Sequence, residues 1–207
     1  EVDGHTVPVT VSIGIALAET PDYTADHLLR YADMALYEAK RNGRNRFELF
    51  RPELDEAARR RRIMETDLRT ALHLGQLHMH YQPIIGNGEQ ITGYEALMRW
   101  QHPVKGQVMP MDFIPIAEET GLIHEVGTRA LNLACQEAAS WATEQSVAVN
   151  LSPVQFKNSD LVKIVGLALA DSGLEPERLE LEITESVLLE NSESNIDTLK
   201  ELKALGV

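Results

Sequence analysis

From residue 76 to residue 207 the sequence alternates short apolar runs of strand length with amphipathic stretches of helix length, and no other feature restricts the fold so tightly. Residues 76–85 and 90–100 read as strands joined by the turn Gly86-Asn87-Gly88, so they are predicted to pair antiparallel. Residues 113–119 and 125–142 read as helices, 147–151 as a strand, 160–172 as a helix ending at Gly173, 179–184 as a strand, and 195–205 as a helix stopping at Gly206. Repeated β-then-α units predict a parallel sheet with right-handed crossovers. The order fits an α/β barrel that begins with an antiparallel pair. A closed eightfold barrel needs about 250 residues, and four strands leave an open edge. The barrel is therefore expected to be incomplete, with the sequence stopping inside that domain.

Residues before this region follow another pattern. Residues 7–18 alternate as a strand, with Gly14 marking a bulge or a close approach. A turn with Pro21 and a capping candidate at Thr24 follows, then an amphipathic helix over 28–41 that carries Leu28, Leu29, Ala32, Ala35, Leu36 and Ala39. Asn42-Gly43 is a left-handed stop signal, and 44–50 reads as a closing strand. A second helix is predicted over 53–74, with Leu54, Ala57, Met64, Leu68 and Ala71 on one face. Arg59, Arg60, Arg61 and Arg62 crowd its middle. They make either a solvated surface or part of a connector between domains.

Composition narrows the classes. Hydrophobic residues are 43% and charged residues 25% of the 207, as in ordinary globular proteins. No apolar run approaches the ~18 residues of a membrane span. No signal peptide is read at the start, where the first residues look like a strand already under way. The lone Cys135 forms no internal disulfide, suits a reducing cytoplasm, and shares a helical apolar set with Leu131, Ala138 and Ala142 that makes it a core residue. A net charge of −13 argues against a nucleic-acid polymer as partner. It leaves room for a nucleotide whose phosphates meet divalent cations.

The chemistry gathers on the strands. In GYEALMRW (residues 93–100) Glu95 and Arg99 fall on one face with Leu97 between them. Such charges on a half-buried strand are costly unless they pair or meet a ligand. Asn150 ends the apolar run VAVN, and LELEITES carries Glu182 and Glu185. Hard oxygen side chains at three strand ends have the composition of a magnesium-type site. The simplest joint reading is a cation held by Glu95, Asn150 and Glu182, with Arg99 on a phosphate. His78 and His80 alternate on one strand face, but no third ligand follows at a zinc-like spacing. Trp100 and Trp141 read as packing residues, and His102-Pro103 as a loop after the strand.

In register, YQPI, GYEALMRWQHP, FIPIAEETGLI, VNLSPVQF and LELEITES resemble the EAL family of cyclic di-GMP phosphodiesterases, over about residues 67–207. The resemblance implies an incomplete TIM-like (β/α) barrel of the EAL type. It also implies hydrolysis of cyclic di-GMP to linear pGpG with Mg2+ or Mn2+, two cations activating water and stabilising the phosphorane-like charge. Position by position, Glu95, Asn150 and Glu182 would be metal ligands and Glu95 catalytic. Arg99 and Gln82 would contact the substrate, and Glu185 would hold a neighbouring catalytic loop. The family's DDFGTG motif, whose aspartates complete a two-metal site, is not in these 207 residues. They are therefore expected not to catalyse by themselves.

VTVSIGIA followed by LLRYADMALYEAKRNGRNRF resembles the C-terminal end of a GGDEF diguanylate cyclase domain, an α+β fold. That likeness implies phosphate contacts from Lys40 and Arg44, which would share a face at a helix end; exposed helix-end cations are the other reading. The expected organisation is 1–52 from the GGDEF domain, 53–66 as a helical linker, and 67–207 from the EAL domain. Its partners are expected to be cyclic di-GMP and a second copy of the chain, forming a homodimer through the EAL domain and linker helix. A cytoplasmic location is expected, with any membrane anchor upstream. Two rival functions stand beside hydrolysis: a catalytically silent cyclic di-GMP receptor, and a bifunctional protein whose cyclase half dominates.

Overall fold

The computed structural model describes residues 9–18, 22–86, 88, 90–156, 160–185, 187 and 193–207. The chain divides into two compact units, Glu1–Ile63 and Met64–Val207.

In the first unit, β1 (Ile13–Ile15) and β2 (Phe47–Leu49) pair parallel, with α1 (Ala25–Arg41) between them in sequence. The strand expected over 7–18 is shorter because only three residues find backbone partners, and residues 1–8 and Pro21 lie outside the described residues. Thr24 caps α1 as expected, its hydroxyl accepting from the His27 amide at 3.3 Å. Gly14 is a close approach and not a bulge. A Cβ there would strike the Ala32 carbonyl oxygen and the Leu36 amide nitrogen of α1. Because both obstacles are backbone, Gly14→Ala is expected to destabilise this unit by about 1–3 kcal/mol, visible as a lower thermal midpoint. Tyr31 stacks on Phe50 with ring centroids 3.9 Å apart.

The stop after α1 is longer than one glycine. Gly43 has φ +103°, and Arg44 and Asn45 stay left-handed at 57° and 50°. The helical-face reading of Lys40 and Arg44 is therefore corrected. Lys40 sits in the last helical turn, whereas Arg44 lies beyond the helix on left-handed backbone, so the four-residue helical spacing does not apply.

The helix α2 (Pro52–Leu74) ends at Gly75, φ +67°. Of its predicted apolar face, Leu68 and Ala71 are fully buried. Its arginine run is largely solvated, with Arg59, Arg60 and Arg62 exposed and Arg60 meeting the exposed Glu56 at 3.4 Å, while the half-buried Arg61 guanidinium lies 5.7 Å from the Tyr37 ring centroid.

The second unit is a five-stranded sheet. β3 (Leu77–Ile85) pairs antiparallel with β4 (Ile91–His102), and β4 pairs parallel with β6 (Ser146–Leu151), which pairs parallel with β7 (Leu179–Ile183). The short β5 (Gly106–Val108) folds back on the end of β4. This fixes the direction of β4, which the sequence left open: it runs with β6 and β7. Between and after the strands lie α3 (Pro110–Thr120), α4 (Ile123–Ser140), α5 (Pro153–Phe156), α6 (Leu161–Ser172) and α7 (Glu193–Ala204). Ala96, Met98, Trp100, Val147, Val149, Leu151 and Leu179 alternate onto one sheet face and join Phe113, Leu131, Ala134 and Val165 of the helices in a single core. Cys135 is fully buried in that core, and burial pushes its thiol up to about 11, which keeps it protonated and unreactive.

His102 shapes the turn that follows β4. Its Nδ1 accepts from the Val104 and Lys105 amides at 3.0 and 3.1 Å, so its Nε2 carries the proton and donates to Asp67 at 3.0 Å. Lys105 Nζ reaches the same Asp67 oxygen at 2.8 Å. The Lys105 hydrogen bond leads in holding the Asp67 carboxyl below the usual carboxylate range; partial burial opposes it and His102 assists. A folded pKa below the unfolded one stabilises above the unfolded value and is lost as pH falls through the folded one. Asp67→Asn is thus expected to cost about 1 kcal/mol at neutral pH, a partly exposed pair being screened. Urea unfolding should show that gap closing once the pH drops below about 4.

Candidate functional site

Strand parity places the site. Glu95, Leu97 and Arg99 point away from the helix-covered core, and the sheet register adds their neighbours. Gln82 pairs with Glu95 across β3 and β4, Glu95 with Ala148 across β4 and β6, and Asn150 with Glu182 across β6 and β7. Gln82, Glu95, Arg99, Asn150 and Glu182 thus share one face of one sheet. Gln82, Asn150 and Glu182 are exposed there, while Glu95 and Arg99 are half-buried.

Asn150 reaches diagonally to β4, where its Nδ2 donates to Glu95 Oε1 at 2.7 Å. A carboxylate only accepts, so the amide nitrogen of Asn150 is the group turned to Glu95, and its amide oxygen is left for another partner. Glu182 stands beside it in register. Its carboxyl is raised above the usual range, first by desolvation, then by the negative charges of Glu95 and Glu180. Crowded carboxylates with a free amide oxygen form a hard-oxygen donor set whose repulsion a divalent cation relieves. Among the described residues no three His, Cys, Asp or Glu side chains form a cage; the oxygen donors on this face are Glu95, Glu182 and the Asn150 amide.

Arg99 and Glu95 do not bridge each other. The Arg99 Nη1 donates to the Met98 carbonyl at 2.9 Å. Its position is an overhang of β4, beyond the last β4–β6 pair, Ala96 with Val149, and opposite His78 of β3. That places a cation past the carboxylate cluster in the strand direction. Glu185 is exposed two residues after β7, at the same end of the sheet. Lys40 and Arg44 belong to the other unit. His78 and His80 do share a face, with ring centroids 5.2 Å apart. Trp100 is fully buried, and Trp141 packs against Tyr81 and Tyr94 at 5.8 and 4.9 Å.

One group of residues went unassigned in the sequence. The Ser152 hydroxyl donates to Glu118 Oε1 at 2.7 Å and accepts from the Val154 amide at 3.2 Å, while the Ser152 amide donates to Gln155 Oε1 at 3.0 Å. The signal was present as Ser152-Pro153-Val154-Gln155, the S-x-x-Q pattern of a reciprocal capping box.

A sheet whose β4, β6 and β7 run parallel, opened by the antiparallel β3–β4 pair, with helices on its outer face and polar side chains on the other, defines a TIM-like barrel-type α/β protein. The chain belongs to the EAL domain family, whose model matches residues 65–207. The model of the diguanylate cyclase GGDEF domain matches residues 1–46. The chain is 39% identical to the bifunctional diguanylate cyclase/cyclic di-GMP phosphodiesterase MucR of Pseudomonas aeruginosa, over all of this chain and 31% of that protein. It is 34% identical to the cyclic di-GMP phosphodiesterase PdeR of Escherichia coli, over 97% of this chain and 31% of that one. An uncharacterised Sinorhizobium fredii protein, y4lL, is 48% identical over all of this chain and 25% of its own length. The chain therefore spans about a quarter to a third of the curated relatives it matches. The solved MucR phosphodiesterase in complex with c-di-GMP superposes with a TM-score of 0.67 at 40% identity, covering 70% of this chain and 61% of that one.

Proposed function

We propose that the protein carrying this chain hydrolyses cyclic di-GMP to linear pGpG in bacterial second-messenger signalling. The observation that carries the reading is the Asn150–Glu95 bond beside Glu182, which gathers three hard-oxygen donors on one open sheet face. Two relatives named for cyclic di-GMP phosphodiesterase activity support the substrate.

In this reading Glu95, Asn150 and Glu182 hold Mg2+ or Mn2+. The bound cation supplies positive charge against the phosphodiester and lowers the pKa of the attacking water. Glu95 orients Asn150 through the 2.7 Å bond from its amide nitrogen, leaving the amide oxygen for the cation. Arg99, on the β4 overhang, anchors a nonbridging phosphate oxygen, and Gln82 contacts the substrate from β3. Glu185 steadies the loop next to the site. Lys40 and Arg44 serve nucleotide phosphates in the GGDEF-derived segment.

The functional segments are 1–52, 53–66 and 67–207, and the chain works as a homodimer through the EAL domain and linker helix. A cytoplasmic setting fits a nucleotide substrate; no helix among the described residues is long and apolar enough to cross a membrane. By the same reading these 207 residues assayed alone give no turnover, because they contain no DDFGTG segment.

The test is incubation of the full-length protein with cyclic di-GMP, with and without Mn2+. Metal-dependent appearance of pGpG is expected. Retained nucleotide binding without any pGpG would replace the enzyme by a receptor.

A further inference from the structure

We propose that Glu118 is a positioning residue for the Asn150 donor, acting from α3 through Ser152. The inference rests on the reading of Asn150 as a metal donor. Asn150 is the penultimate residue of a six-residue strand, and α5 begins three residues after it. Whatever fixes that turn holds the end of β6 in place and so works beside the Glu95 bond in aiming Asn150.

Ser152 is its knot. The capping box with Gln155 and Val154 already satisfies the start of α5, and needs nothing from elsewhere. Yet the Ser152 hydroxyl also donates to Glu118, 34 residues earlier and on another helix. Glu118 borders a cavity of about 300 Å³ whose walls include Ile114, Ile123, Val126 and Val149. A half-buried carboxylate beside apolar walls needs a donor, and the Ser152 hydroxyl supplies one at 2.7 Å. The turn is held on its other side too. Gln155 is buried at 5% exposure against Gly127 of α4, where a Cβ would collide with the Gln155 side-chain amide. Helices α3 and α4 therefore both grip the turn, and Leu151, between Asn150 and Ser152, is buried. Partners of this outer kind hold a ligand's orientation, and their loss typically weakens metal affinity 10–100-fold.

The test uses the full-length protein, with Mn2+ affinity read from the electron paramagnetic resonance of free Mn2+ and hydrolysis measured in parallel. Asn150→Ala serves as the reference. Glu118→Ala and Ser152→Ala are expected to raise the Mn2+ dissociation constant at least about tenfold, with kcat at saturating Mn2+ within about threefold of wild type. Glu118→Gln keeps the Oε1 acceptor and should restore most of the affinity. An unchanged Mn2+ affinity in both Glu118→Ala and Ser152→Ala overturns the proposal, even if the thermal midpoint falls. Mn2+ binding that Asn150→Ala leaves untouched removes its premise and overturns it too. Wild-type protein that binds Mn2+ through Asn150 but forms no pGpG refutes the hydrolase reading alone, and the affinity shifts still decide the role of Glu118.

Discussion

Glu95→Ala in the full-length protein is expected to slow cyclic di-GMP hydrolysis by about 10³-fold or more, equivalent to about 4 kcal/mol of transition-state stabilisation. The effect is large because one side chain has two duties. In the proposed site it would give a carboxylate to the cation, and it accepts the Asn150 amide at 2.7 Å. Removing it takes one donor away and frees a second to rotate. Glu95 is only half-buried, and its strand neighbours Ala96 and Tyr94 keep their places on the other face, so the fold should survive. Arg99→Ala makes the useful contrast. If Arg99 holds a phosphate oxygen of bound substrate, its loss should appear largely in KM, whereas Glu95→Ala should appear in kcat. Steady-state kinetics beside circular dichroism checks both. A Glu95→Ala enzyme within tenfold of wild type contradicts the assignment.

Trp100→Ala is expected to cost the second unit about 3–5 kcal/mol. Trp100 has no exposed surface, meets Phe113 edge-on at 5.7 Å and donates its indole N–H to Gln76 Oε1 at 3.2 Å. The substitution opens a cavity where β4 meets α3, and it leaves the Gln76 oxygen to water. Domains of this size are stable by about 5–15 kcal/mol, so the variant should unfold at much lower urea. Trp141→Ala should cost less, because Trp141 is only half-buried against Tyr81 and Tyr94. Equal urea midpoints for the two variants would contradict this placement of the core.

Much of this was readable from residues alone, for physical reasons. The long elements announce themselves by periodicity, so α1, α4, α6 and the β3–β4 hairpin fall where apolar spacing puts them. The elements that were missed, β5 and α5, are three and four residues long, too short for any period to show. The direction of β4 was hidden because it is decided by pairing with β6, more than fifty residues later. The shared face of Glu95 and Arg99 followed from strand parity. Their failure to pair did not, since the competing partner, Asn150, arrives from another strand. Arg44 shows the opposite limit: helical spacing does not hold past Gly43, where the backbone turns left-handed. The Glu118–Ser152 bond joins two motifs that sit side by side only once α3 and β6 are packed.

Glu95, Asn150 and Glu182 are proposed to form one divalent-cation site. Anomalous diffraction from crystals of the full-length protein soaked in Mn2+ tests it most directly. A manganese peak is expected in contact with the carboxylates of Glu95 and Glu182 and with the amide oxygen of Asn150. Bound manganese that leaves Asn150 and Glu182 untouched would contradict it.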